Sequence, residues 1–124
     1  MKLKLIVDRK EFTAVMSDNA AARNFVSLLP LTLNMSDLNG NEKYQDIPNS
    51  LPTAAFHPET IHNGDMMLYG SRTLVLSYKT FPTPYHYTRL GSTDNPQELE
   101  AALGAGSVPI TFTSIRHSSE KESK

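Results

Sequence analysis

Residues 18–36 read DNAAARNFVSLLPLTLNMS, and this stretch changes from helical to strand periodicity at a single proline. Before Pro30 the apolar residues recur at helical spacing, and they are Ala22, Phe25, Val26 and Leu29. Pro30 lacks an N–H donor and disfavours helical geometry at the residue before it, so the helix should end there. After Pro30, Leu31, Leu33 and Met35 alternate with polar residues, which predicts a half-buried strand.

The same two-residue alternation recurs on both sides of this stretch. The additional predicted strands cover residues 2–7, 12–16, 66–70, 73–79, 87–92 and 108–113. The first helix can be capped by Asp18 or Asn19, since a side-chain oxygen there can accept a first-turn N–H. A second helix is predicted after Asp94 or Asn95, with Pro96 near its start. Its apolar stripe is Leu99, Ala102 and Leu103, and it should end at Gly104 or Gly106.

About seven or eight short strands and two helices indicate a mainly β fold. A closed barrel is favoured, because closure disposes of the free strand edges, and the helices would then cover its two ends. A β-sandwich with peripheral helices is the alternative. We expect one domain over residues 1–116 and a polar, disordered tail over 117–124. One core should bury Leu31, Leu33, Leu74, Leu76, Val108, Ile110 and Phe112 with Phe25 and Leu99.

Composition excludes several functional classes. The 124 residues carry twelve basic and thirteen acidic side chains, a formal charge of −1, so no basic field attracts nucleic acid or an anionic membrane. Cysteine is absent, which removes disulfides and thiolate chemistry and agrees with a reducing cytoplasm. No signal peptide is evident at the N-terminus, and we expect a cytoplasmic protein, although a chain cleaved from a secreted precursor would share these features.

Two longer segments, LLPLTLNMSDLNGNEKYQDIP and GDMMLYGSRTLVLSY, resemble the small bacterial cyclophilin-like domains. In that family a helix leads into a Leu-Pro-Leu-Thr strand, and an Asn-Gly turn, a Glu-Lys pair and a strand that begins with Gly-Asp follow. The corresponding features here are Leu29–Leu33, Asn39-Gly40, Glu42-Lys43 and Gly64-Asp65. The resemblance spans nearly all of residues 1–115 and implies a small closed barrel of the cyclophilin type.

The prolyl isomerases of the wider cyclophilin group carry a Phe-His-Arg segment, and the chain departs from it. Phe56-His57 matches the start, but Pro58 stands where the catalytic arginine would follow. No catalytic residue is therefore carried over, and we expect at best weak isomerase activity. Arg89 offers the one alternative source of a guanidinium near an amide.

The segment FPTPYHY, residues 81–87, is the most distinctive candidate for a binding surface. Its prolines stiffen a loop that presents aromatic rings at little ordering cost, which suits a peptide or a small ligand. We predict a ligand-binding groove formed by Tyr69, Tyr78, Phe81, Tyr85, His86 and Arg89. The alternatives are that the rings only plug one barrel end, or that the domain is a structural or oligomerisation module. The sequence does not predict the oligomeric state.

Other chemistries have weaker support. His57 and His62 with Glu59 and Asp65 are residue types that bind zinc, but their spacing fits an ordinary polar loop better. His86 is a residue type that can act as a general base, yet no nucleophile motif accompanies it. No phosphate-binding glycine loop is present, so we predict neither a metal nor a cofactor.

Overall fold

The computed structural model of the protein describes residues 1–115, and the tail predicted over residues 117–124 lies outside them. The two helices are α1 (Ala20–Val26) and α2 (Leu99–Leu103), the latter preceded by a 3₁₀ turn at Pro96–Glu98. The ten strands are β1 (Lys2–Val7), β2 (Lys10–Met16), β3 (Leu31–Leu38), β4 (Glu42–Asp46), β5 (Thr60–Ile61), β6 (Asp65–Tyr69), β7 (Thr73–Ser77), β8 (Phe81–Pro82), β9 (Thr88–Thr93) and β10 (Val108–Ser114).

Eight of these strands close into a barrel, in the order β1-β10-β3-β4-β7-β6-β9-β2, with every pairing antiparallel. The predicted mainly β barrel with two helices is confirmed, and the sandwich alternative is wrong. Closure pairs both sides of each barrel strand, so the barrel has no free edge to recruit another chain.

The two helices lie at opposite ends of the barrel. Helix α1 connects the end of β2 to the start of β3, whereas α2 lies between the end of β9 and the start of β10, which belong to the other rim. The side chain of Asn19 caps α1 by accepting the N–H of Ala22 at 2.8 Å. The helix ends at Val26, three residues earlier than the pattern predicts, because residues 27–28 form a turn before Pro30.

The barrel interior holds the predicted core. Leu33, Leu74, Leu76, Ile110 and Phe112 are buried in one cluster with Phe25 and Leu99. Phe25 reaches in from α1 and meets the ring of Phe112 edge-on, with the ring centroids 5.7 Å apart. The predictions for Leu31 and Val108 hold only in part, since both are half-buried and pack against the edge of the cluster.

The rim beneath α2 is closed by an ionic group, which we call the inner cluster: Asp37, Lys43 and Tyr78. The Lys43 ammonium is fully buried and donates to the carbonyl oxygens of Gly104 and Gly106 at 2.9 and 2.5 Å. It also lies 3.1 Å from Asp37 Oδ1, to which the Tyr78 hydroxyl donates at 2.5 Å. The charge of Lys43 is therefore compensated on several sides.

A second layer covers part of the barrel wall. The connections from β4 to β5 and from β7 to β9 run between opposite rims, and β5 and β8 pair as a two-stranded sheet separate from the barrel. Ile61, Met67 and Tyr87 form a separate buried cluster there, with Phe81 against it. As predicted from its prolines, the segment FPTPY is no central strand, because only Phe81–Pro82 pairs, and it does so outside the barrel. No helix of residues 1–115 is long and apolar enough to cross a membrane.

Candidate functional site

The candidate site is built on the outer face of strands β4, β7 and β6. Successive strand residues point to opposite faces, so Lys43 faces the barrel interior while Glu42 and Tyr44 face outward. Register places Glu42 opposite Ser77, Tyr44 opposite Val75, and Tyr69 opposite Thr73. The Asn39-Gly40 turn positions this face, with φ values of 57° and 66° that a tight hairpin needs.

Residues 81–87 form the wall that faces this surface. The backbone N–H of Thr83 donates to the carbonyl of Glu59 at 2.9 Å, which ties the wall to the preceding loop. The Thr83 hydroxyl lies 3.2 Å from the Tyr87 hydroxyl and also accepts the N–H of Tyr85 at 3.2 Å. Together with two prolines, these bonds hold the aromatic side chains in place before any ligand arrives.

A groove with a volume of about 610 Å³ lies between the strand face and the wall. This volume falls within the range of roughly 300–1,000 Å³ that small-ligand pockets occupy. Its lining combines aromatic and apolar side chains with a few polar ones: Leu38, Asn39, Asn41, Glu42, Tyr44, Tyr69, Thr73, Val75, Phe81, Pro82, Thr83, Pro84, Tyr85 and Tyr87.

Three tyrosines of the groove contact one another. The ring of Tyr69 meets the rings of Tyr85 and Tyr87 edge-on, at centroid distances of 6.0 and 5.9 Å. Tyr85 is 56% exposed and Tyr69 is 48% exposed, whereas Tyr87 is buried. Burial raises the pKa of the Tyr87 hydroxyl, which keeps it protonated and able to donate. The groove thus has a buried aromatic base and exposed aromatic rims.

Glu42 is the charged residue of the groove. Its side chain is buried, with only 6% exposed, and Oε1 has no hydrogen-bond partner among the described residues. Burial raises the pKa of this carboxyl from 4.5 to about 7, because desolvation disfavours the ionised form. Near neutral pH the site therefore holds a carboxyl group poised between its two protonation states.

The groove brings together three of the six residues proposed from sequence, namely Tyr69, Phe81 and Tyr85. Tyr78 does not join them, because it directly follows β7, packs in the core with Leu74 and Leu76, and belongs to the inner cluster. Its pKa is raised by burial and then by the hydrogen bond to Asp37.

His86 and Arg89 also lie outside the residues that line the groove. The His86 ring faces away toward His57, at a centroid distance of 5.4 Å. The Arg89 guanidinium lies 5.8 Å from the centroid of the Phe56 ring and 3.6 Å from Asp65 Oδ1. Whether any of the six contacts a ligand stays a prediction.

Sequence reasoning missed Glu42 and Tyr44, and it also missed Leu38, Asn39, Asn41, Thr73 and Val75. The signal for the first two was the alternation in EKYQD, which sets Glu42 and Tyr44 on one face and Lys43 on the other. No sequence signal marks Glu42 as buried, because the groove around it is completed by residues 81–87, which lie about 40 positions further along the chain.

The histidine-rich loop does not assemble into a metal centre within residues 1–115, where no group of three candidate ligands occurs. His57 Nε2 lies 2.8 Å from the carbonyl oxygen of Thr83, and His62 Nδ1 lies 3.9 Å from Asp65 Oδ2. The first contact helps to hold the wall of the groove.

Comparison with known proteins gives one match. The sequence model of the Cyclophilin-like family matches residues 5–113, which is most of the chain. The searches of the curated proteins and of the solved structures found no match.

Proposed function

We propose that this chain, which belongs to the cyclophilin-like family, is a binding domain that takes a peptide or a small ligand in the aromatic groove on its outer wall. The observation that carries the proposal is the groove itself: about 610 Å³ between a strand face and a proline-stiffened wall, with tyrosines on both sides. Exposed tyrosine rings on a rigid support provide a large contact area at low entropic cost.

The alternatives have less support. A catalyst of prolyl rotation must favour the twisted amide over either planar form, and an arginine does this in the isomerases that the chain resembles. No arginine lines the groove within the described residues, and Arg89 lies beside Asp65 instead. For an oligomerisation module, the closed barrel offers no free strand edge.

Titration with two probes tests the proposal, with amide shifts in ¹⁵N-labelled protein as the readout. The probes are the peptide Ala-Ala-Pro-Phe and the neutral small molecule benzyl alcohol. We expect shifts to cluster at Tyr44, Tyr69, Thr73 and residues 81–87. Tyr85→Ala should weaken binding about tenfold or more, because it removes an exposed ring from one rim.

Phe56→Ala is the matched control, since Phe56 is an exposed aromatic residue of the same outer layer that does not line the groove. It should bind both probes as the native chain does. Shifts that cluster on residues 96–103 would move the site to the second helix and overturn the proposal. A protease-coupled assay on the same peptide within tenfold of an authentic cyclophilin would replace it with the isomerase alternative.

A further inference from the structure

The groove contains a buried carboxyl group with an oxygen that no other described residue contacts by a hydrogen bond. Glu42 is among the few buried acidic residues, and its Oε1 receives no hydrogen bond from residues 1–115. The ion pairs in this part of the chain involve other acids, and none reaches Glu42. Buried carboxyl oxygens are nearly always paired, so an exception inside a groove indicates a missing donor.

The surroundings of Glu42 favour a donor that is also a cation. No lysine or arginine lines the groove, so it holds one acidic group and no basic one among the described residues. The faces of tyrosine rings are electron-rich and attract an ammonium group. Tyr44, Tyr69, Tyr85 and Tyr87 supply four such rings in the same groove.

The protonation behaviour of Glu42 agrees with that arrangement. Burial raises the pKa of the carboxyl to about 7, so its charge is held at a cost in the free protein. A cation within about 4 Å would reverse this effect, because an opposite charge favours the ionised form. A neutral donor would satisfy the oxygen but would leave the charge uncompensated.

We propose that the groove recognises its ligand through a protonated amino group, with Glu42 as the counter-ion and the tyrosine rings as its walls. This inference rests on the proposed function and adds the chemical class of the ligand, an alkylammonium. The group could be carried by a free amine or by a lysine side chain, because both present the same chemistry.

Benzylammonium and benzyl alcohol form the central test, because they share an aromatic ring and differ in the charged group. At about pH 8 the native chain should bind benzylammonium at least tenfold more tightly, with shifts at groove residues. The preference should shrink as the pH falls below about 7, since Glu42 must lose its proton to pair with the cation.

Glu42→Gln should bind benzylammonium and benzyl alcohol with about equal affinity, and its affinity for benzyl alcohol should stay close to that of the native chain. Asp46→Asn is the matched control, because Asp46 is an exposed carboxylate on the same face of β4 that lies outside the groove lining. It should leave the preference unchanged. The pH series on the native chain serves as an independent test if the glutamine variant does not fold.

A third probe, the blocked peptide acetyl-Ala-Lys-Ala-amide, distinguishes the two sources of the amine. Tighter binding of this peptide than of benzylammonium supports a lysine side chain, and the reverse supports a free amine. Groove binding of benzyl alcohol without any preference for benzylammonium would overturn the inference and leave the proposed function standing. Absence of groove shifts with every probe would overturn both.

Discussion

Glu42 and Lys43 are neighbours on β4, and both are buried, yet they face opposite sides of the barrel wall. Lys43 points inward and meets two carbonyl oxygens, the Asp37 carboxylate and the ring of Tyr78 at 5.6 Å. Glu42 points outward into the groove, and Oε1 has no partner within residues 1–115. The inner cluster thus supplies partners for its buried charge, whereas the groove leaves a buried carboxyl oxygen without one among the described residues.

The difference separates a structural charge from one available for binding. A buried charge persists in a fold when hydrogen bonds and opposite charges replace its water, as they do for Lys43. Where such partners are missing, the charge weakens the fold and remains available to a ligand. The contrast predicts that neutralising Lys43 destabilises the fold, whereas neutralising Glu42 does not.

The largest effect should follow Lys43→Met. Removing the ammonium takes a donor from two carbonyl groups and the paired cation from Asp37, so the free energy of unfolding should fall by about 3–5 kcal/mol. Urea denaturation measures it. Lys79→Met is the control, because it removes an exposed ion pair with Glu100 and should cost less than about 1 kcal/mol. Equal losses in the two variants would contradict the role of the inner cluster.

The second prediction concerns the pH dependence set by Glu42. Its pKa is 4.5 in the unfolded chain and about 7 in the folded one, so the unfolded state loses the proton first as the pH rises. The contribution of Glu42 to the free energy of unfolding should therefore be most favourable below about pH 4.5 and should fall toward pH 7, by up to about 3 kcal/mol.

Glu42→Gln should remove that decline and should be as stable as the native chain, or more stable, at neutral pH. Denaturation of both proteins at pH 4.5 and at pH 7.5 provides the comparison. A native chain that gains stability from this group as the pH rises would show that Glu42 is compensated after all, like Lys43.

The third prediction tests the opposite sign inside the barrel. The hydrogen bond from Tyr78 is the largest cause that lowers the pKa of Asp37 below its usual 3.8, and Lys43 adds to it. The ionised Asp37 therefore contributes to stability above pH 3.8. The contribution is lost as the pH falls through the lower pKa that Asp37 has in the folded chain. Tyr78→Phe should lower the free energy of unfolding by about 2 kcal/mol at neutral pH. Acidification should then reduce the stability of this variant less than it reduces that of the native chain. An unchanged acid profile would exclude this role for Tyr78.

The smallest effect on folding should come from the rim of the groove. Tyr85 is more than half exposed, so Tyr85→Ala should change the free energy of unfolding by less than about 0.5 kcal/mol. Leu33→Ala sets the scale for a buried apolar residue, with a loss of about 2–5 kcal/mol. A loss of that size at Tyr85 would mean that the ring supports the fold rather than a ligand.

The contrast also explains which groove residues could be predicted from the sequence. Two prolines among aromatics marked residues 81–87, and Phe81 and Tyr85 do line the groove. Tyr78 could have been assigned to the interior, because it alternates with Leu74 and Leu76, whose inward face was already predicted. The positions of His86 and Arg89 outside the groove depend on which way an irregular segment and strand β9 present their side chains, and the sequence does not show this.

The sequence by itself determined the alternating strands, the change of period at Pro30, the turn at Asn39-Gly40 and most of the core, because these depend on spacings of a few residues. Tertiary structure alone decided that Glu42 is buried with no partner for Oε1 in the described part of the chain, while Lys43 is buried with several partners. The partners of Lys43 come from residues 37, 78, 104 and 106, and the groove around Glu42 from residues 38–44, 69–75 and 81–87. Solvation of a charge depends on everything within a few ångströms, and chain closure brings those atoms together from distant positions.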